Sequence, residues 1–174
     1  MARRSILTTL AAEHAEVRSL FEELKDTTDR AVKGRAELLA EIEAKLMPHA
    51  KWEEQVLYPA FRERADREGL QTVAEAYLEH AAVEKTVIPE VKASDVGTPE
   101  FAGRAKVFAE FIDHHAKEEE KTMFKQARQL FSAEELVALD EAYAEWKESP
   151  AGQSAVAAAE AKTSLKSVAK KVMG

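Results

Sequence analysis

Two short strings, LMPHAKWEEQVLYP (46–59) and HAKEEE (115–120), each place a glutamate four residues after a histidine inside an apolar helical stripe. At that spacing both side chains share one helix face. A face that must be buried therefore carries nitrogen and oxygen donors. Few folds tolerate this, because a buried ion or unpaired polar group is costly.

Four segments show helical periodicity with apolar positions at alternating steps of three and four. The first seam is Leu7, Leu10, His14, Val17, Phe21, Leu24, and the second is Leu39, Ile42, Leu46, His49, Glu53, Val56, Ala60. The third is Val73, Tyr77, His80, Glu84, Val87, Val91, and the fourth is Phe101, Ala105, Phe108, Ile112, His115, Glu119. Histidine and glutamate supply the polar interruptions. Turn-forming stretches at 26–35, 65–70 and 92–100 separate the segments, with Gly69 as a helix stop, Thr98 as an N-cap and Pro99 in the first helical position. Kinks are expected at Pro48 and Pro89, which fall inside helical patterns.

The spacing of the seam histidines fixes how these helices stack. His14, His49, His80 and His115 are separated by 35, 31 and 35 residues. In an up-and-down bundle two residues meet at one level when the turn lies midway between them. The midpoints fall at about 31, 64 and 97, and the turns centre near 30, 67 and 96, so the mismatch in height is on the order of 2–4 Å. Four imidazoles and the carboxylates of Glu53, Glu84 and Glu119 then share one cross-section of the core. A bound pair of metal ions removes the energetic problem by taking their lone pairs. Imidazole and carboxylate donors suit iron or manganese, and also zinc. The Glu-x-x-His spacing of ferritin-like centres is absent, since Ala11, Leu46, Tyr77 and Ile112 precede the histidines by three. Tyr77, one turn before His80, reads either as ordinary core or as a hydrogen-bond donor to a bound oxygen species. His114 lies on a half-solvated stripe and reads as a surface residue, while Glu54 and Glu120 point away from the seams.

With these residues in view, the chain resembles the hemerythrin-like family in its HHE cation-binding branch. The matching pattern is His14, HAKWE (49–53), His80 and HAKEE (115–119), and it spans roughly residues 5–130. The resemblance implies an all-α, up-and-down four-helix bundle holding two non-haem irons with a bridging oxo or hydroxo group. It implies that Glu53 and Glu119 bridge, with His14 and His49 mainly on one iron and His80 and His115 on the other. Hemerythrins proper carry a histidine where this chain has Glu84, and an aspartate five residues after the last histidine, where the better-placed acid here is Glu119 at four. These departures point away from reversible oxygen carriage. They leave a protein that binds or reacts with O2, peroxide or NO, with catalase-like peroxide turnover as its enzymatic form and a role in oxidative or nitrosative stress. The alternative is an iron or oxygen sensor acting through a protein partner.

The expected organisation is a bundle at 1–130, an additional C-terminal helix at 131–149 opened by Ser132 and Glu135 at capping-box spacing, and a flexible Ala/Lys-rich basic tail at 150–174. The helix and tail are the segments through which a partner would act. The tail carries Lys162, Lys166, Lys170 and Lys171, and Leu165, Val168 and Val172 give it a weak amphipathic pattern. With no cysteine, thiolate metal sites and disulfides are excluded. The net charge of −7 argues against general nucleic-acid binding, and the lack of a membrane-length apolar run or signal sequence points to a cytoplasmic protein.

Overall fold

The computed structural model describes residues 3–173, with side chains through residue 164. Helix α1 is Ile6–Lys25. Helix α2 (32–62) joins Val32–Trp52 to Tyr58–Arg62 through a π-helical turn, Glu53–Leu57. Helix α3 (67–93) joins Arg67–Ala82 to Ile88–Ala93 through Val83–Val87, and α4 (99–130) joins Pro99–Glu118 to Phe124–Leu130 through Glu119–Met123. Two more helices follow, α5 (Ala133–Glu148) and α6 (Pro150–Met173). No strand is present among the described residues.

Local chemistry sets the helix starts. The Thr98 hydroxyl accepts from the Phe101 N–H with Pro99 behind it, and Ser132 and Glu135 exchange hydrogen bonds as a capping box. Gly69 does not stop a helix. It lies in the first turn of α3, where its N–H is taken by the capping carboxylate of Asp66. A Cβ at Gly69 would lie 2.8 Å from Ala65 Cβ and 3.1 Å from the Phe61 ring, so glycine serves close packing there. The α2–α3 turn is consequently 63–66, centred on the midpoint of His49 and His80.

The helical irregularities follow the carboxylates rather than the prolines. Pro48 sits inside α2 without breaking it. Each π turn instead holds a glutamate that stands four residues after a seam histidine: Glu53, Glu84 and Glu119. In these turns the N–H of Tyr58, Ile88 and Phe124 reaches back five residues, to the carbonyls of Glu53, Val83 and Glu119. Pro59 and Pro89 lie just beyond two of the turns, where a missing N–H is tolerated, but no proline accompanies the third. Helix α1 carries Arg18 four residues after His14, and it is regular throughout.

The polar layer divides the bundle interior into two apolar clusters. Phe21, Ile42, Ile88, Phe101 and Phe108 form one, and Ile6, Leu10, Trp52, Tyr58, Phe61 and Phe124 form the other. Burying each such side chain contributes about 1.5–3 kcal/mol. The two clusters clamp the histidine layer from above and below.

The C-terminal segment departs from the expected flexible tail. Residues 150–173 are helical, and Gly152, Ala159 and Thr163 are buried. Ala159 and Val156 join the first apolar cluster, so small side chains let α6 lie close against α2 and α3. The Thr163 hydroxyl donates to Glu43 Oε1 at 2.7 Å, and Lys92 reaches the same carboxylate at 2.8 Å. The amphipathic pattern at Leu165, Val168 and Val172 lies outside the described side chains. At the α5–α6 corner, a Cβ on Gly152 would stand 2.0 Å from the Trp146 carbonyl oxygen, a backbone atom that cannot step aside. Gly152→Ala is therefore expected to destabilise the fold by about 1–3 kcal/mol, read by urea denaturation. A change within error would place the corner elsewhere.

Candidate metal centre

The four seam histidines are buried and converge at one level. His14 Nε2 and His49 Nε2 are 3.1 Å apart, and His80 Nε2 and His115 Nε2 are 3.0 Å apart. Glu53 lies between the pairs, with Oε1 3.1 Å from His49 Nε2 and Oε2 3.5 Å from His80 Nε2. Glu119 Oε2 is 3.4 Å from His14 Nε2 and 4.0 Å from His115 Nε2. Two donor sets result. His14, His49, Glu53 and Glu119 offer atoms within 4.8 Å of one another, and so do Glu53, His80 and His115. Glu53 belongs to both, as a bridging carboxylate should.

The outward ring nitrogens explain why Nε2 faces inward in every case. Each Nδ1 meets a carboxylate from the neighbouring helix. Glu13 Oε2 holds His49 at 2.9 Å, Glu54 Oε1 holds His80 at 3.2 Å, Glu79 Oε2 holds His115 at 2.7 Å, and Glu120 Oε1 holds His14 at 3.0 Å. The links run α1 to α2, α2 to α3, α3 to α4 and α4 back to α1. Such partners fix the tautomer and raise the basicity of a metal-ligating imidazole. Glu54 and Glu120 adjoin Glu53 and Glu119 in sequence, Glu13 and Glu79 adjoin His14 and His80, and the arrangement repeats at an offset of 66 residues. Their role escapes a single-helix reading because each acid serves a histidine on a different helix. Helix α5 enters this ring too. The Tyr143 hydroxyl donates to Glu13 Oε2 at 2.9 Å, and Lys147 reaches Glu13 Oε1 at 3.2 Å.

Electrostatics follow from this crowding. Burial alone would depress the His49 imidazole, but Glu53 and Glu13 overcome it and hold it well above the ordinary range. Burial opposes the shift at His115 as well, where Glu79, Glu119 and Glu53 raise it. Burial would raise Glu13, yet His49, Lys147 and Tyr143 bring it down to about 2. Glu119 is likewise held far below the carboxylate range despite burial, by its contact with His14 and by the charges of His115, His14 and His49. In the metal-free chain, protons on imidazole thus do part of the work of a cation. They do not complete it: Glu53 Oε1 and Glu119 Oε2 are buried with no hydrogen-bond partner, an arrangement that costs about 1–3 kcal/mol per group. Both atoms face the histidine nitrogens, so the residues fit a pair of cations.

Other candidates sort clearly. Tyr58, not singled out from its sequence, is fully buried, and its hydroxyl donates to Glu119 Oε1 at 2.9 Å while lying 3.3 Å from His80 Nε2. Burial and the charges of Glu119 and Glu53 push its phenol well above the usual range, so it keeps its proton. Tyr77 instead donates to the Glu54 backbone carbonyl at 2.9 Å and stacks edge-on against Tyr58. It supports the site from behind rather than facing it. His114 is exposed, 3.8 Å from Glu79. Glu84 is buried but stands apart from both donor sets, with Oε2 2.5 Å from Lys51 Nζ and Oε1 3.9 Å from Lys162 Nζ. In the metal-free chain Lys51 takes its charge.

An up-and-down helical bundle whose core is split by a layer of imidazoles and carboxylates is a metal-binding four-helix protein. Residues 5–127 match the hemerythrin HHE cation binding domain, and the chain belongs to that family. Among curated proteins it is similar to a DNA nickase of Nostoc sp. (strain PCC 7120 / SAG 25.82 / UTEX 2576), 30% identical over 131 residues. That match covers 75% of this chain and 36% of the relative, so the chain spans about a third of the relative's length. No solved structure matches. Among the described residues, no helix is long and apolar enough to cross a membrane.

Proposed function

We propose that the centre holds two iron ions joined by an oxo or hydroxo bridge and that the protein binds or reacts with O2, peroxide or NO. The observation that carries this reading is the pair of partnerless buried oxygens, Glu53 Oε1 and Glu119 Oε2, set among four inward Nε2 atoms. His14, His49, Glu53 and Glu119 would hold one ion, and His80, His115 and Glu53 the other. A metal pair supplies redox chemistry and Lewis acidity toward a small oxygen- or nitrogen-centred ligand.

The chain's own residues prepare the site for that. Glu13, Glu54, Glu79 and Glu120 keep each Nδ1 protonated and each Nε2 free. The Tyr58 hydroxyl fixes the Glu119 carboxylate and holds a proton at the edge of the donor cluster. The two apolar clusters exclude bulk water from the layer between them. The nickase activity of the Nostoc relative is not assigned to this chain, whose net charge of −7 opposes a nucleic-acid surface.

The test is metal analysis with an absorption spectrum of the iron-loaded protein, followed by addition of peroxide. The expected result is about two irons per chain, the near-ultraviolet bands of a bridged ferric pair, and oxygen evolution. Zinc in place of iron, or a spectrum without those bands, would overturn the reading.

A further inference from the structure

A cavity of about 40 Å³ is lined mainly by residues of α2 and α3, together with His14 of α1 and two residues of α4. The four buried histidines line it, with Leu46, Met47, Ala50, Val83 and Ile112 as its apolar part. Lys51, Glu54, Glu79 and Glu84 complete the lining. A water needs roughly 10–15 Å³ of such space, so in the metal-free chain the cavity has room for two or three water-sized groups.

Lys51 and Glu84 meet across this lining from opposite helices. Their charged atoms are 2.5 Å apart, and the side chains are 13% and 9% exposed. The Lys51 ammonium also reaches Glu54 Oε2 at 2.7 Å, and Lys162 of α6 stands 3.9 Å from the other Glu84 oxygen. A buried pair of this kind adds little net stability, because desolvation offsets the attraction. Its position is more informative. The repeat-related counterpart of Glu84 is Arg18, whose guanidinium lies on Glu120 and Asp113 at 2.9 and 3.0 Å. The acid at residue 84 therefore breaks the symmetry of the two halves on the side where the cavity lies.

We infer that the Lys51–Glu84 pair closes the mouth of an access passage, between α2 and α3, for a small uncharged molecule bound for the metal pair. Glu84 then serves access rather than coordination. The apolar wall gives a neutral diatomic or peroxide-sized molecule no charge to shed. An anion meets Glu54 and Glu84, whose charges are already engaged by Lys51 and, at 3.9 Å from Glu84, by Lys162. This inference rests on the iron reading above, and the experiment separates the two.

The experiment uses the full, iron-loaded chain as wild type, Glu84→Gln, Lys51→Met and Ala50→Leu. Iron content is measured first, then association of NO with the reduced protein and of azide with the oxidised protein by stopped flow. All four proteins should retain the wild-type iron content. Association of NO should rise about tenfold in Glu84→Gln, the change that accompanies loss of one charge-assisted hydrogen bond, and at least as much in Lys51→Met, which loses two. It should fall in Ala50→Leu, whose added side chain fills the cavity. Azide should speed up in Glu84→Gln and slow down in Lys51→Met, which removes the lysine shared by Glu54 and Glu84. Loss of iron from Glu84→Gln would make Glu84 a ligand and overturn the inference. Full iron with equal NO rates in all four proteins would also overturn it, placing access elsewhere. A wild-type chain that takes up no iron would instead remove the metal reading, and the passage with it.

Discussion

Replacing His115 with alanine is expected to take iron binding from about two ions per chain to one or fewer, while the adjacent His114→Ala leaves it intact. The donor set of His80, His115 and Glu53 has only three members, so losing one leaves too few protein donors for a stable site. The lost imidazole also strands Glu79, whose 2.7 Å contact to His115 Nδ1 is its only close hydrogen bond among the described residues. His114 differs by one position but points about 100° away, and its side chain is 68% exposed. Glu79→Gln tests the outer link separately. It should keep both ions but weaken affinity about 10–100-fold, the usual effect of altering a hydrogen-bond partner of a metal-bound histidine. Iron content by metal analysis and affinity by chelator competition are the readouts. Retention of both ions in His115→Ala, or their loss in His114→Ala, would mean that α4 presents the wrong face.

These contrasts show which parts of the site a sequence can and cannot reveal. Seam positions fix which face of each helix turns inward, and chain separations fix height, so His14, His49, His80 and His115 are legible from periodicity alone. Glu53 and Glu119 follow because four residues make one turn. Glu84 has the same spacing from His80 and the same π turn, yet its carboxylate ends on Lys51 of the neighbouring helix, a partner that spacing along one helix does not reveal. Helical periodicity assumes a regular screw, and the three π turns violate it where the acids sit. Tyr58 reads as ordinary core since an aromatic on an apolar stripe usually is, and its hydroxyl gains meaning only from Glu119 on another helix. The last helix was hidden for another reason. Alanine and lysine give little pattern by themselves, and the burial of Thr163 depends on the carboxylate of Glu43, 120 residues away.

The metal-free and iron-loaded proteins are expected to respond oppositely as pH rises from 6 to 9. Without metal, His49 and His115 have folded-state pKa values above their ordinary value of 6.5. Groups raised in this way stabilise the fold fully below about 6.5, and that contribution is lost as pH climbs through the folded value. The depressed Glu13 and Glu119 carboxylates act in reverse: their contribution is present above their ordinary 4.5 and fades only as pH drops toward the folded value. The metal-free protein should therefore be most stable between about 4.5 and 6.5 and lose stability in alkali, as the buried carboxylates lose the protons on His49 and His115. Iron requires those same nitrogens unprotonated, so its affinity grows with pH. With free iron at a thousand times its dissociation constant, binding adds about 4 kcal/mol, which raises Tm by roughly 8–16 °C for a chain of this size. Thermal melts at pH 6, 7.5 and 9, with and without metal, should show a gap that widens toward alkaline pH, chiefly because the metal-free Tm falls. A metal-free Tm that is flat or rising over that range would show His49 and His115 to be neutral already, held by geometry alone with no protons standing in for the cations.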